Sequence, residues 1–384
     1  MSFDFIPKKR LGLYVHVPFC LSKCYYCDFC SRTGASSERK DAYVVALKNE
    51  IRAFADGSAK RKSVDTIYFG GGTPTLLSEA NFADILDCIG ECFDVLPDAE
   101  ITAEANPKTA DTDKLSAMRR LGINRLSIGM QSVHDNELKA LGRVHKLSDF
   151  EAIFSNARAV GFDNISVDLM YGIPEQTMLS FEESIRRLIS LSPEHISSYC
   201  LKIEEGTRFF DKKDTLPLPS EDTVCDMYES MCNILRDAGY NKYEISNFAV
   251  RGRESRHNLK YWRYDDYIGF GAGAHSFACG VRFANSDDVD AYIVGDGLGV
   301  REQESKIEPD EARNEYVMLR MRLSEGVIFE DYRSRFDREF LDDFADAIKR
   351  FSSEYFSVSN GRCAFTERGM LVSNYILSEM LDFS

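Results

Sequence analysis

Cys20, Cys24 and Cys27 form a C-x₃-C-x₂-C run directly after an apolar stretch. Three thiolates so close in sequence can take three corners of one small inorganic centre and leave a fourth position free. An iron–sulfur cubane suits that pattern when one iron must bind something else, because a fully ligated cluster takes four cysteines. Structural zinc is the alternative, with four ligands usually set as two pairs across a longer loop. Cys30 supplies a fourth thiol nearby. Counting alone therefore leaves open an all-cysteine site, and equally a set of unrelated buried thiols.

Other residues have types that suit ligand binding. Gly70-Gly71-Gly72-Thr73-Pro74 can bring backbone amides against a polar or anionic group with no side chain between, although a tight turn is the plainer reading. Glu104, in Glu104-Ala105-Asn106-Pro107, closes a strand where a carboxylate could hold ribose hydroxyls; a solvated loop acid is the bland reading. Gln131 ends the next strand, and Arg143 offers a guanidinium fork suited to a carboxylate. Asp168 lies inside the apolar run Val167-Asp168-Leu169-Met170, where an acid is rarely idle. His257, close to Tyr261 and Trp262, has the chemistry of an axial heme ligand or of a packed core histidine, and His275 is a second candidate.

The elements that must position these residues alternate. Leu11–Val17, Val64–Phe69, Glu100–Ala105, Arg125–Met130, Asn164–Tyr171 and Glu194–Leu201 read as strands. Helical periodicity separates them at 38–55, after Ser78, at Thr112–Leu121, over His134–Val160 with a break near Gly142, and at Thr177–Leu191. Parallel βαβ units follow, too few for a closed eightfold barrel. The fold class is α/β: an open three-quarter barrel or doubly wound sheet, either of which carries ligand loops at the carboxyl ends of its strands. Both the cysteine loop and the glycine loop leave such ends, so topology puts them on one rim. Beyond about residue 215 the alternation stops. Glu221–Ala238 reads as a helix, Tyr240–Phe248 as a strand, Tyr267–Phe277 as glycine-rich, and Pro309–Leu323 and Asp331–Phe351 as helices. Two short strands around Ser359-Asn360-Gly361 and a helix from Glu367 to Leu381 complete a small winged-helix-like domain. The expected division is a tail over 1–10, the partial barrel over 11–215, a connecting region over 216–300 and a C-terminal helical domain over 301–384.

Composition narrows the function classes. The chain of 384 residues is 44% hydrophobic and 28% charged, as expected of a globular protein. Its net charge of −15 speaks against a nucleic-acid partner. No apolar run approaches membrane-spanning length, and the opening MSFDFIPKKRLGLYVHV lacks a signal peptide's apolar core and cleavage site. The eleven cysteines, odd in number and mostly scattered, fit a reducing compartment, and the cytoplasm is expected.

Tyr14-Val15-His16-Val17-Pro18-Phe19-Cys20, the cysteine triad and Asp28-Phe29 resemble the opening of the radical SAM superfamily, in its coproporphyrinogen III oxidase-like (HemN/HemW) branch. The likeness extends through Tyr171-Gly172-Ile173-Pro174, His257–Trp262, Gly271–Ser276 and Tyr316–Leu323. It implies a [4Fe-4S] cluster on Cys20, Cys24 and Cys27 with one open iron site that binds S-adenosyl-L-methionine (SAM). It further implies SAM contacts from Tyr14, Gly71, Gly72, Thr73, Glu104, Gln131, Arg143 and Asp168. Two features make the chain most similar to the HemW heme chaperones. Phe29 stands where the oxidases carry a fourth cysteine of a C-x₃-C-x₂-C-x-C run, and the segment before Cys20 is short. HemW proteins also carry an H-N-x-x-Y-W motif implicated in heme binding, present here as His257-Asn258-Leu259-Lys260-Tyr261-Trp262.

The resemblance implies a chaperone that carries heme b to acceptor hemoproteins, extending to respiratory enzymes at the membrane, and that dimerises with its cluster. The alternatives are oxygen-independent oxidation of coproporphyrinogen III to protoporphyrinogen IX and another porphyrin-directed radical SAM reaction, such as anaerobic heme ring opening. Cys30 departs from the asparagine usual in HemW and reads as a spare thiol, or else as a fourth cluster ligand that would block SAM.

Overall fold

The structure, a computed structural model, describes residues 10–57 and 61–381, so the tail expected over 1–10 falls, apart from Arg10, outside the described residues. Six strands run parallel in sequence order: β1 (Leu11–Val17), β2 (Ser63–Gly71), β3 (Asp94–Ala105), β4 (Arg125–Gln131), β5 (Ile165–Tyr171) and β6 (His195–Cys200). The expected strands are all present, and β3 begins several residues earlier than its apolar pattern showed. Leu11, Leu13, Val15 and Val17, on one face of β1, are fully buried, and Gly12 and His16 on the other face are buried too, as a parallel sheet covered on both faces requires.

Helices return the chain between strands, and four of them begin where a polar side chain satisfies free amides. Ser36 caps Ser37–Asp56, Ser78 forms a reciprocal capping box with Asn81 at Glu79–Cys92, and Asp111 caps Thr112–Arg120. The expected break near Gly142 divides Asp135–Ala140 from Leu147–Ala159, and Gly142 takes φ +74° there. Thr177 caps Met178–Ser190.

These six strands form the middle of a twelve-stranded sheet. On one side β6 pairs antiparallel with β8 (Asn247–Ala249), which pairs with β7 (Asn241–Lys242). The single strand expected over Tyr240–Phe248 is thus a short hairpin. On the other side β1 pairs in parallel with β9 (Tyr267–Phe270), followed antiparallel by β10 (His275–Ala278), β11 (Val281–Asn285) and β12 (Arg301–Lys306). Gly271 and Gly273, both at positive φ, turn the chain between β9 and β10. Much of the expected connecting region therefore extends the sheet.

Residues 309–381 build a second hydrophobic core around Tyr316, Val317, Tyr332, Phe340, Phe344 and Phe365. The hairpin expected around Ser359-Asn360-Gly361 joins Phe356–Ser359 to Arg362–Phe365. Two expected helices are each broken. Phe329–Phe336 ends where Asp337 takes a left-handed φ of +54°, and Phe340–Arg350 follows. Likewise Glu367–Leu371 and Ser373–Met380 are separated at Val372. No helix among the described residues is long and apolar enough to cross a membrane.

Candidate functional site

The cysteine loop is tied to its neighbours through backbone hydrogen bonds. Gly72 N–H donates to Val17 O at 2.9 Å and Thr73 N–H to Phe19 O at 2.7 Å, which zips the glycine loop onto the residues before Cys20. Tyr25 N–H donates to Leu141 O at 3.0 Å, and the Tyr25 ring lies where a side chain on Gly142 would stand. The loop thereby fixes the turn that carries Arg143.

One hydrogen-bonded chain links four loops at the strands' carboxyl ends. Arg143 donates through Nη1 to Cys24 Sγ at 3.4 Å, and through Nη2 to Asn106 Oδ1 at 2.6 Å and Gly129 O at 3.0 Å. Asn106 Nδ2 donates to Thr73 Oγ1 at 2.7 Å, and Thr73 Oγ1 lies 3.7 Å from Cys20 Sγ. Cys20, Cys24 and Cys27 line one cavity of about 720 Å³, which extends past the ends of β1–β6 to residues of the C-terminal domain. Gly71, Gly72, Thr73, Glu104, Gln131, Arg143 and Asp168 line it as well, so the structure brings together nearly all the residues expected around SAM.

The three cysteines sit on one loop, none is in a disulfide and all line the same cavity, which is the donor set of a cluster held from one side, although as placed among the described residues their side chains do not close into a ligating group. Burial raises the thiol pKa of Cys20 and raises that of Cys27 to about 11, so the ligating thiolates would form as metal displaces their protons. Cys30 is absent from the cavity wall; its Sγ contacts Asp287 O at 3.3 Å, in keeping with the spare-thiol reading.

Two acids lie deeper. Glu104 accepts from Tyr68 OH at 2.8 Å and Gly71 N–H at 3.2 Å, and Asp168 accepts from Ser127 Oγ at 3.1 Å. Burial, then the nearby charge of Asp168, raises Glu104 to about 7; burial raises Asp168 to about 6. Both acids hold protons more tightly in the folded chain than in the unfolded one. The stability they contribute is full below the unfolded carboxylate range and is lost as pH rises through about 6 to 7. Thermal unfolding of the cofactor-free protein should accordingly show Glu104→Gln gaining on wild type as pH rises from about 5 to about 7.5. A difference constant across that interval would contradict the burial of this carboxylate.

Tyr14 and His257 stand outside the cavity wall. The Tyr14 hydroxyl bonds His16 Nδ1 at 2.9 Å, and its ring stacks on Tyr68 with centroids 6.3 Å apart. His257, 1% exposed, also stacks on Tyr68, with centroids 5.2 Å apart. Its Nδ1 bonds Thr66 Oγ1 at 2.9 Å and its Nε2 bonds Tyr261 OH at 2.7 Å. Burial, with Lys260 and Arg125 nearby, lowers its pKa to about 3, so the ring is neutral. Heme ligation would require one of these two hydrogen bonds to break. As placed, His257 supports Tyr68, which in turn holds Glu104. His257→Ala should cost about 2–4 kcal/mol in denaturant unfolding, through a cavity and two orphaned hydroxyls. A cost under about 1 kcal/mol would contradict the enclosed position.

Residues that sequence reasoning passed over complete the site. Asn106 joins Arg143 to Thr73, Tyr68 holds Glu104, Ser127 holds Asp168, and Tyr199 OH donates to Gln131 Oε1 at 3.1 Å. Their sequence signal is alternation: Ser127, Gly129 and Gln131 occupy alternate positions of β4 and all reach the cavity.

Comparison with known proteins identifies the family and the fold. Residues 14–188 match the radical SAM superfamily, and residues 307–372 match the HemN C-terminal domain. The chain is 37% identical to the heme chaperone HemW of Bacillus subtilis (strain 168), over 96% of this chain and 98% of that protein. It is 35% identical to the heme chaperone HemW of Haemophilus influenzae, over 97% and 98% respectively. The fold superposes on coproporphyrinogen III oxidase (HemN) from Escherichia coli with a TM-score of 0.86, covering 100% of this chain and 92% of that one at 24% identity.

Proposed function

This chain belongs to the HemW family of the radical SAM superfamily, and from that membership we propose that it binds heme and delivers it to acceptor hemoproteins. End-to-end similarity to heme chaperones carries the reading. A cavity that runs from three cysteines to the C-terminal domain supports it.

Cys20, Cys24 and Cys27 would hold a [4Fe-4S] cluster whose remaining iron is open to SAM. Bound together, the cluster and SAM supply one-electron cleavage chemistry. The chain's own residues bind and orient. Arg143, its Nη2 fixed by Asn106 and Gly129 O, would offer its remaining N–H groups to the carboxylate of SAM. Gly71, Gly72 and Thr73, whose amides are spent on Glu104, Val17 and Phe19, would lie against its methionine portion with no side chain from the two glycines between, and Glu104, held by Tyr68, would take the ribose hydroxyls. Asp168 and Gln131 complete the wall, while Tyr14 acts from behind through Tyr68.

The protein works in the cytoplasm, handing heme b to acceptors that include respiratory enzymes at the membrane, and it forms a cluster-dependent homodimer. The net charge of −15 and the scattered cysteines support that setting. The test presents the reconstituted protein, with SAM and reductant, with coproporphyrinogen III, and separately presents the heme-loaded protein with an apo-hemoprotein. Heme transfer without protoporphyrinogen formation is expected. Sustained conversion of coproporphyrinogen would make the protein an oxidase.

A further inference from the structure

Arg125 opens β4 and heads the largest enclosed side chains of the molecule, with 2% of its surface exposed. It lines the cavity, yet its Nε is buried without a hydrogen-bond partner, and among the described residues no carboxylate forms an ion pair with it. Glu104 and Asp168 feel its charge, while Glu104 accepts from Tyr68 and Gly71 and Asp168 Oδ1 accepts from Ser127. Of the cavity's other arginines, Arg143 is held in the loop network, and Arg322 lies over the Trp262 ring at 4.6 Å with the charge of Glu244 nearby, its Nε likewise buried without a hydrogen-bond partner. Enclosing a guanidinium without a counter-ion is costly, and the cost is recovered when a ligand's anion completes the pair.

Position along β4 says which anion. Arg143 bonds the carbonyl of Gly129, four residues above Arg125, a rise of roughly 13 Å along a strand. Arg143 is thus tied to a higher level of β4 than the one Arg125 springs from, and Asp168 lies within electrostatic reach of both guanidiniums, so SAM binding in Arg125 variants separates a shared carboxylate from a second one. The same cavity is walled by Tyr228, Ile245, Met370 and Leu371. Apolar walls beside a buried guanidinium that lacks an ion-pair partner suit a flat apolar body that carries a carboxylate on an arm. A tetrapyrrole with propionate side chains has that chemistry.

We propose that Arg125 is the anchor of a carboxylate subsite that receives a propionate arm of the tetrapyrrole. The assignment rests on the heme-binding reading above.

The test titrates heme and heme dimethyl ester against wild type, Arg125→Gln and Arg125→Lys, with SAM binding measured beside them. Arg125→Gln should weaken heme binding by about tenfold or more, and Arg125→Lys should recover part of the loss. The ester should bind wild type and Arg125→Gln alike, since the group that Arg125 would grip is blocked. Unchanged heme affinity in Arg125→Gln would overturn the subsite. So would equal losses for heme and ester, which would mean that Arg125 acts through the fold, or a loss confined to SAM, which would identify SAM as the source of the carboxylate. Should Arg125→Gln fail to fold, Arg125→Lys carries the test: wild-type preference for heme over its ester must shrink in that variant, and an undiminished preference overturns the proposal. A wild type that binds neither heme nor ester overturns the heme reading itself and the subsite with it, a result distinct from all the others because no variant is involved.

Discussion

Cys24→Ala folds as wild type does and assembles no [4Fe-4S] cluster. Its thiol belongs to no hydrophobic core and contacts Arg143 on the cavity wall. The loop keeps its shape through backbone bonds that the substitution leaves intact: Arg32 N–H to Pro18 O at 2.7 Å, Tyr25 N–H to Leu141 O at 3.0 Å and Phe209 N–H to Tyr25 O at 3.0 Å. The cost in stability should stay under about 1 kcal/mol. Two remaining thiolates cannot hold a cubane that already has one iron without a protein ligand. Iron analysis and visible absorbance after anaerobic reconstitution read the loss. Cys30→Ala, whose sulfur faces Asp287, should retain full iron. Four irons in Cys24→Ala, or their loss in Cys30→Ala, would reassign the ligands.

Gly72→Ala should have a large effect for a single added methyl group, because the atoms it meets are all backbone. A Cβ there would lie 2.7 Å from Phe19 O, 2.8 Å from Val17 O and 2.9 Å from Phe19 N, all backbone atoms. Those atoms cannot withdraw without breaking the two bonds that hold the glycine loop to the cysteine loop. A destabilisation of about 1–3 kcal/mol is expected. SAM affinity should fall at the same time, because Thr73 and Asn106 move with the loop. Gly90→Ala is the control. It sits within Glu79–Cys92, where a Cβ meets nothing within 4 Å, and should stabilise by about 0.5–1 kcal/mol. Denaturant unfolding and equilibrium SAM binding check both; equal behaviour of the two variants would contradict the close packing at Gly72.

Much of the site was legible because chemistry and topology coincide in this fold. The six parallel strands carry apolar runs that alternate with amphipathic helices, and motifs at strand ends must then share a rim. Strands away from that core were harder to read. Arg301–Lys306 is exposed along its whole length, so REQESK has no apolar periodicity, and only pairing with β11 makes it a strand. The hairpin of β7 and β8 is too short for a period of two to register. Within Asp331–Phe351 the helical pattern persists across Asp337, whose left-handed backbone ends one helix before the next begins.

Site residues divide in the same way. Cys20, Cys24 and Cys27 announce themselves by spacing. Asn106 and Tyr68 matter through partners some thirty positions distant in sequence, Thr73, Arg143 and Glu104. His257 carries ligand chemistry in its side chain, whereas its stacking on Tyr68 and the bonds at both nitrogens are visible only once the helix Arg256–Trp262 is packed against β2. Arg125 was read as the first residue of a strand. Its lack of a counter-ion is a property of the assembled barrel.

The most direct measurement is a heme titration of the anaerobically reconstituted full chain, followed by absorbance. The account predicts saturable binding at one heme per chain, with heme passing on to an apo-hemoprotein. Absence of saturable binding, in protein whose cluster and SAM binding are intact, would contradict it.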